Sequence, residues 1–417
     1  MRFLTEPQIE SIRERFGTPV YVYDQRTLEA AADQVLAFPA PCRLVGRFAM
    51  KALPTAAVLQ IFDAKGLHID ASSGFEAERA LRAGIAPEKI QITAQELPKD
   101  LKGLVQRGVL FNACSLHQLR CFGELFAGAE VSVRINPGLG SGHNNRTNVG
   151  GPSSAFGIWH EKLPEVLSLA REFDLTISGL HTHIGSGGDP EVWQRCAALT
   201  LGIARQLPDL TRLSLGGGFK VARMPDEKAA DLQAIGQALS ASIAQFLKER
   251  GRGRDDFQLE VEPGTFLVAL AGAILCEIID LVDTGANGHR FLKVDSGMTE
   301  LLRPALYGAQ HPITVVPHGR SASGELDDYL VVGHCCESGD ILTPAPGDPE
   351  GLAPRRLARA EIGDTLVIDG SGAYASGMAA SNYNAFPKAA EVLIERDGSA
   401  RLIRARQTLA QSLENEL

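Results

Sequence analysis

Short apolar runs rich in β-branched residues alternate with amphipathic segments over the first two-thirds of the chain. Segments such as residues 54–64, 75–83 and 165–173 place apolar residues three and four positions apart, which predicts helices with one buried face. The runs themselves are nearly continuous in apolar residues, as in parallel strands that are covered on both faces. They lie at residues 43–51, 68–73, 89–93, 109–114, 130–137, 176–185, 212–219 and 258–264.

Eight strand–helix repeats of this kind predict an α/β unit folded as a (β/α)8 barrel of the TIM type, with an open doubly wound sheet as the alternative. After about residue 283, strand-like runs follow one another without long helices, which predicts an all-β domain. We predict that the barrel spans residues 24–283 and that residues 1–23 and 284–417 form a β-sandwich or barrel domain. Residues 343–354, rich in Pro, Gly and acidic side chains, are predicted to be an exposed loop.

Composition and charge argue against nucleic-acid binding, membrane insertion and export. The 417 residues carry a net charge of −9 without a stripe of Lys or Arg, which argues against a nucleic-acid partner. The longest apolar run, residues 266–276, is shorter than the roughly 18 residues that a membrane helix needs. The first residues lack the apolar core of a signal peptide, and the seven cysteines show no Cys-x-x-Cys spacing. We therefore predict a cytoplasmic protein with free thiols, no membrane association and no metal site.

Polar residues cluster where the predicted barrel strands end. In a barrel of this type the active site lies at the carboxyl ends of the strands, so these side chains are expected to converge on one rim. A single Lys, His or Glu at a strand end is usually only solvated, but several together indicate a site. The candidates are Lys51, Asp70, Arg134, His181, His183, Ser186, Gly216, Gly217, Gly218, Glu262 and Gly264.

Pyridoxal 5'-phosphate (PLP) explains this set of residues, because each part of the cofactor requires a different partner. The Lys51 amine can form a Schiff base, and Glu262 can keep the pyridine nitrogen protonated. The triple-glycine turn at residues 216–218 lets backbone N–H groups approach a phosphate, and Ser186 can add a hydroxyl donor. The imidazole of His183 can stack on the ring. We add Asp70 to the cofactor-binding candidates.

The predicted second domain has polar clusters of its own. Arg303 and Tyr307 lie four residues apart, Cys336 directly precedes Glu337, and Tyr374 lies in a run of small residues. Taken singly, these segments are typical of ordinary turns.

Four motifs carry a resemblance that spans residues 16–384. They are His-Ile-Gly-Ser at 183–186, Gly-Gly-Gly at 216–218, Arg-Pro-Ala-Leu-Tyr at 303–307 and Cys-Glu-Ser-Gly-Asp at 336–340. In this order and spacing the chain resembles the diaminopimelate decarboxylases, within the fold-type III PLP decarboxylases. The resemblance implies a (β/α)8 barrel plus a β-sandwich domain, a homodimer with shared active sites, and PLP-dependent decarboxylation of meso-2,6-diaminopimelate to L-lysine, the last step of lysine biosynthesis.

The same resemblance implies a role for each candidate residue. Lys51 would hold PLP, His183 would stack on its ring, and Glu262 would pair with the pyridine nitrogen. Cys336 of the neighbouring subunit would donate a proton, with Glu337 beside it on the substrate side. Phosphate contacts would come from Ser186, Gly217, Gly218, Gly264 and Tyr374, and substrate contacts from Arg303, Tyr307 and Tyr374.

One position departs from the family pattern. After Glu-Pro-Gly the family usually has an Arg that binds the distal carboxylate of the substrate, whereas this chain has Thr265. A hydroxyl cannot replace a bidentate guanidinium, so we hypothesise that Arg146 compensates. The alternatives are a decarboxylase of a basic D-amino acid such as D-lysine or D-ornithine, an amino-acid racemase, which would not need Cys336 and Glu337, and a non-catalytic PLP-binding regulatory homologue.

Overall fold

The computed structural model describes residues 3–139, 150–183 and 187–417, and the chain divides into two compact units. The barrel unit comprises Glu29–Val221 and Lys228–Leu267, and the sheet unit comprises Met1–Leu28, Ala222–Glu227 and Val268–Leu417. The division predicted at residues 24 and 283 stays a prediction.

The described residues form strands joined by helices and short turns. The strands are β1 (Val20–Asp24), β2 (Arg43–Ala49), β3 (His68–Ala71), β4 (Ile90–Ile92), β5 (Leu110–Ala113), β6 (Glu130–Asn136), β7 (Ile158–Trp159), β8 (Thr176–His181), β9 (Arg212–Ser214), β10 (Gln258–Val261), β11 (Gly272–Asp283), β12 (Arg290–Val294), β13 (Ile313–Val316), β14 (Leu326–Val332), β15 (Pro344–Ala345), β16 (Asp348–Leu352), β17 (Arg355–Ala358), β18 (Thr365–Asp369), β19 (Ala390–Ile394) and β20 (Ala400–Arg404). The helices are α1 (Glu6–Phe16), α2 (Gln25–Leu36), α3 (Ala56–Lys65), α4 (Gly74–Arg82), α5 (Leu101–Gln106), α6 (Leu116–Leu125), α7 (Leu163–Glu172), α8 (Pro190–Ala204), α9 (Leu232–Glu249), α10 (Thr265–Val268), α11 (Arg303–Tyr307) and α12 (Leu409–Ser412).

The barrel unit is a closed parallel barrel. Its strands follow the order β5-β4-β3-β2-β10-β9-β8-β6, and a pairing between β5 and β6 closes the ring. Nearly all strand positions are buried, because helices cover the outer face. Helices α4 and α6 are capped at their N-termini by Ser73 and Ser115, whose hydroxyls accept hydrogen bonds from backbone N–H groups of the first turn. The predicted TIM-type barrel is confirmed.

The barrel interior contains a buried ion pair where aliphatic side chains are more usual. Arg47 on β2 donates two hydrogen bonds to Glu260 on the neighbouring strand β10, from Nε at 2.9 Å and from Nη2 at 3.0 Å. Arg47 Nη1 also donates to the Lys89 carbonyl at 3.3 Å. Arg212 on β9 approaches the same carboxylate to 4.0 Å and donates to Ser132 at 2.9 Å. These contacts form a polar layer among the strands.

The sheet unit is built on a mostly antiparallel sheet with the order β17-β14-β12-β11-β1-β19-β20, and β18 joins β11 to β13. Helix α1 buries Ile9 and Ile12 in a core shared with Val20, Leu275 and Val392. Capping by Thr5 fixes the start of that helix, because the Thr5 hydroxyl accepts from the Gln8 backbone N–H while the Gln8 side chain accepts from the Thr5 N–H. The prediction of a separate, mostly β domain is confirmed.

The prediction of a loop at residues 343–354 is wrong. Strands β15 and β16 form a hairpin there, and Ala345 pairs with Asp348 across a two-residue turn. Pro346 occupies the first central position of this turn, and Gly347, with φ of 75°, supplies the left-handed conformation at the second. The Pro and Gly that indicated a loop therefore shape the turn of an exposed hairpin.

Candidate active site

Five predicted site residues lie at the carboxyl ends of barrel strands, and we call them the rim site. Lys51 follows β2 in a 3-10 turn, Asp70 lies in β3, His183 follows β8, Gly217 follows β9 and Glu262 follows β10. Lys51 interacts electrostatically with Asp70 and with His183, and Asp70 interacts with Glu262. The barrel therefore brings together side chains that are up to about 200 residues apart in sequence.

Asp70 is a buried carboxyl group in an unusual electrostatic position. Burial and repulsion from Glu262 raise the pKa of Asp70 to about 7, against the attraction of Lys51 and a hydrogen bond with Thr93. Its Oδ1 atom is buried and has no hydrogen-bond partner among the described residues. The Lys51 side chain is exposed, so an amine that solvent can reach lies near a carboxyl group that can hold or release a proton close to neutral pH.

Glu262 is held on both carboxylate oxygens. Ser214 Oγ donates to Oε1 at 2.8 Å, and His181 Nε2 donates to Oε2 at 2.7 Å. Burial acts to raise the pKa of Glu262, but the attraction and hydrogen bond of His181 and the hydrogen bond of Ser214 together lower it. This carboxylate is therefore ionised although it is buried.

The imidazole of His183 is fixed by the glycine turn. The Gly217 N–H donates to His183 Nδ1 at 2.9 Å, so this nitrogen carries no proton. Burial, together with the charges of Arg134 and Lys51, lowers the pKa of His183 well below its usual range, and the ring is neutral. A Cβ on Gly216 would lie 2.3 Å from His183 Nδ1, and one on Gly217 would lie 2.0 Å from the Glu262 carbonyl oxygen. Only glycine fits this turn.

The remaining barrel candidates are placed as follows. Gly264 packs beside Ala49, since a Cβ at this glycine would lie 3.3 Å from the Ala49 methyl group. Thr265 begins the short helix α10 and is partly exposed. Ser186 and Arg146 lie outside the described residues.

In the sheet unit, Arg303 and Tyr307 begin and end the one-turn helix α11. Arg303 Nη1 donates to His311 Nε2 at 3.2 Å, and His311 Nδ1 donates to the Asp369 carbonyl at 3.1 Å. Burial lowers the pKa of Arg303, which also interacts electrostatically with Tyr374 and Tyr307. Three predicted residues of this unit therefore belong to one cluster around a guanidinium that His311 holds in place.

The two adjacent cysteines have opposite environments. Cys335 is buried, and burial with the nearby Asp340 carboxylate raises the pKa of its thiol to about 12. Cys336 is exposed, and its N–H donates to Asn384 Oδ1 at 2.8 Å. Glu337 lies beside it and lines a cavity of about 550 Å³ in the sheet unit, together with Met298, Ala305, Gly339 and Tyr383. The accessible thiol is thus the one that precedes Glu337.

The partners of Glu262 are not evident from the sequence alone. The sequence indicates His181 only as one of several residues at the strand ends, without a role, and it does not indicate Ser214. The signal was present in His-Thr-His, since residues two apart on a strand face the same side. The rings of His181 and His183 are indeed nearly parallel, 5° apart, with centroids 6.4 Å from each other.

The described ranges also bear on metal and membrane binding. They contain no group of three or more His, Cys, Asp or Glu residues placed to hold a metal ion. In the same part of the chain, no helix has both the length and the hydropathy that crossing a bilayer requires.

Comparison with known proteins adds an independent line of evidence. Residues 26–269 match the family described as pyridoxal-dependent decarboxylase, pyridoxal binding domain. The chain is 36% identical to a diaminopimelate decarboxylase from Streptomyces coelicolor, covering 99% of this chain and 92% of that protein. It is 35% identical to one from Escherichia coli, with coverages of 99% and 97%. A crystal structure of a diaminopimelate decarboxylase superposes with a TM-score of 0.92 at 34% identity, covering 99% of this chain and 97% of that one.

Proposed function

The chain belongs to the diaminopimelate decarboxylases among the pyridoxal-dependent decarboxylases, and from this premise we propose that it converts meso-2,6-diaminopimelate to L-lysine and carbon dioxide. The assignment of the substrate rests on the 36% identity, over nearly the whole of both chains, to a relative named for this activity. The assignment of PLP as the cofactor rests on the family match over residues 26–269.

The rim site suits PLP. Lys51 offers an exposed amine near the partly titrating carboxyl of Asp70, and Glu262 offers an ionised carboxylate. The turn at Gly216 and Gly217 has no space for a Cβ, because His183 and the Glu262 carbonyl lie against it, so only glycine allows it. An amine, an anionic oxygen and a glycine turn at one rim are the donor set that this cofactor requires.

When bound, PLP supplies an electron-poor ring that accepts the electron pair left on the substrate Cα as carbon dioxide departs. In our proposal Lys51 would hold the cofactor and Glu262 would pair with its ring nitrogen. His183, which is neutral and oriented by Gly217, would stack on the ring. Asp70 is assigned to the cofactor-binding residues. Phosphate binding is assigned to Ser186, Gly217, Gly218, Gly264 and Tyr374.

On the substrate side we assign the proton donor to Cys336. A thiol must be accessible to reach a substrate carbon, which favours Cys336 over the buried Cys335. Arg303, Tyr307 and Tyr374 are assigned to the substrate and Glu337 to the position beside the thiol. Arg146 is proposed to replace the distal carboxylate contact that Thr265 cannot make.

We also propose a homodimer with shared active sites and a cytoplasmic location. All seven cysteines are free, which suits a reducing compartment. The shared site is tested by mixing Lys51→Ala subunits with Cys336→Ser subunits after mild dissociation. If each site uses residues of both chains, activity should return to about a quarter of the native level, since half of the dimers would be mixed and each would hold one intact site. Two inactive variants that stay inactive after demonstrated exchange would contradict a shared site.

The function is tested by carbon dioxide release from purified protein with added PLP. We expect turnover of meso-diaminopimelate and none with Lys51→Ala. Because Thr265 replaces the family Arg, D-lysine and D-ornithine are tested as alternative substrates in parallel, with L-lysine as a further control. Release from the D-amino acids alone would overturn the substrate assignment and leave the reaction type standing.

A further inference from the structure

Three adjacent barrel strands place two hydrogen-bond donors against one carboxylate. His181 on β8 pairs in register with Ser214 on β9, and Ser214 pairs with Glu260 on β10, two residues before Glu262. The Glu262 N–H also donates to the Gly216 carbonyl at 2.8 Å, which fixes the backbone of the carboxylate. The position of Glu262 is thus determined by neighbouring strands as well as by its own.

His181 is a costly residue to place in this barrel. Its side chain is 2% exposed, and its Nδ1 atom has no hydrogen-bond partner within the described ranges. Interior positions of such barrels usually carry branched aliphatic residues, and a buried polar atom without a partner destabilises the fold. Stability alone therefore gives no reason for a histidine here, whereas its 2.7 Å contact with Glu262 does.

The contact with His181 leaves Glu262 able to serve a ligand. A carboxylate oxygen has two lone pairs, so Oε1 and Oε2 each keep acceptor capacity after binding Ser214 and His181. With one donor on each oxygen the carboxylate cannot rotate about its last bond without losing both. A charge-assisted hydrogen bond from a buried imidazole also favours the ionised form over the neutral acid.

We propose that His181 is a positioning residue that holds the Glu262 carboxylate ionised and oriented toward the ring nitrogen of the cofactor. This inference rests on the proposed function, because it takes Glu262 to be the residue that faces that nitrogen. His181 acts through Glu262 and does not itself touch the reacting atoms. Replacing His181 should therefore weaken the binding of a ligand that has a ring nitrogen and leave unchanged the binding of a ligand that lacks one.

The experiment measures binding rather than turnover. The dissociation constants of PLP and of 1-deazapyridoxal phosphate, in which carbon replaces the ring nitrogen, are determined with full-length apoprotein by equilibrium dialysis. The variants are His181→Phe, which keeps a ring without a donor, and His181→Gln, whose amide can reach the carboxylate. His68→Phe is the matched control, since His68 begins strand β3 and also has a buried Nδ1 without a described partner.

The expected result is a loss of preference for PLP over the deaza analogue. One charge-assisted hydrogen bond corresponds to roughly a tenfold change in an equilibrium constant, so His181→Phe should lower the preference about tenfold. His181→Gln should recover most of it, and His68→Phe should keep the native preference. If His181→Phe does not fold, His181→Leu serves as the donor-free variant, with folding checked by circular dichroism.

Two results would overturn the inference. Equal weakening of both ligands in His181→Phe would make His181 a packing residue only. A native protein without any preference for PLP, unchanged in Glu262→Gln, would remove the role of Glu262 and the inference together. A native preference that depends on His181, in a protein that does not decarboxylate diaminopimelate, would overturn the proposed substrate and support the inference.

Discussion

The buried ion pair between Arg47 and Glu260 should contribute strongly to the stability of the barrel unit. Both side chains are almost fully buried, at 1% and 2% exposure, and two hydrogen bonds of 2.9 and 3.0 Å join them. Burial acts to raise the pKa of Glu260. The attraction and the hydrogen bonds of Arg47 have a larger effect in the opposite direction, so this pKa falls from 4.5 to about 2. A lowering of this size corresponds to about 3 kcal/mol in favour of the folded, ionised state.

The sign of the pH dependence follows from the direction of this shift. Because the pKa of Glu260 is lower in the folded chain than in the unfolded chain, the stabilisation is complete above about pH 4.5. It is lost as the pH falls through about 2. Without Arg47 the buried Glu260 carboxylate lacks its main cation, so burial should raise the pKa of Glu260 above its value in the unfolded chain. The variant should therefore lose more free energy of unfolding at pH 7 than at pH 5.

The perturbation is Arg47→Met, measured by urea unfolding with circular dichroism at both pH values. We expect the free energy of unfolding of the barrel unit to fall by about 3–5 kcal/mol at pH 7, the usual cost of removing one partner of a buried pair. The double variant Arg47→Met with Glu260→Met should be more stable than Arg47→Met alone, because no unpaired charge remains.

Arg120→Met is the matched control for this experiment. Arg120 and Glu172 form a pair with two hydrogen bonds, of 2.7 and 3.1 Å, but their side chains are 45% and 47% exposed. Solvent screening should leave the unfolding midpoint of this variant unchanged. The reasoning would be refuted if Arg47→Met shifted the midpoint no more than Arg120→Met, or if its penalty were equal at pH 5 and pH 7.

Three further predictions concern single sites. Gly217→Ala should weaken PLP binding by roughly tenfold or more, because its methyl group would lie 2.0 Å from the Glu262 carbonyl oxygen. The control Gly202→Ala has open space for its methyl group and should leave the dissociation constant of PLP unchanged. Alkylation by iodoacetamide at pH 8, followed by mass spectrometry, should modify Cys336 and spare Cys335, and the reverse order would contradict the assigned environments. Asp70→Asn should stabilise the apoprotein at pH 8 by up to about 4 kcal/mol and have little effect at pH 4, because the raised pKa of Asp70, about 7, makes its ionisation destabilise the fold as the pH rises. Equal effects at both pH values in urea titrations would refute this.

The architecture could be predicted from sequence because parallel barrel strands leave a strong pattern. Each strand is covered on both faces, so it reads as an apolar run between amphipathic helices. The candidate site could be predicted for a related reason, since Lys51, His183 and Glu262 end such runs and strand ends meet at one rim. The sequence favours Cys336 over Cys335 because Cys336 directly precedes Glu337, and in the folded chain Cys336 is the exposed cysteine of the two.

Local composition was a poorer guide where turn geometry decides. Proline and glycine at 346 and 347 indicated a loop, yet they occupy the two central positions of a hairpin turn. Composition reports which residues avoid regular structure on average. It does not report whether two flanking segments find a hydrogen-bonding register.

The contacts that tune the site were decided only by the tertiary structure. His181 and Glu262 are 81 residues apart, and Arg47 and Glu260 are 213 residues apart. A charged residue in an apolar strand indicates that some partner must be buried with it, but not which one. The partner is set by strand order, register and the closure of β5 on β6, and these depend on contacts summed over the whole barrel. The amino-acid sequence thus determined which residues are buried and which end a strand, and the folded barrel determined which of them meet.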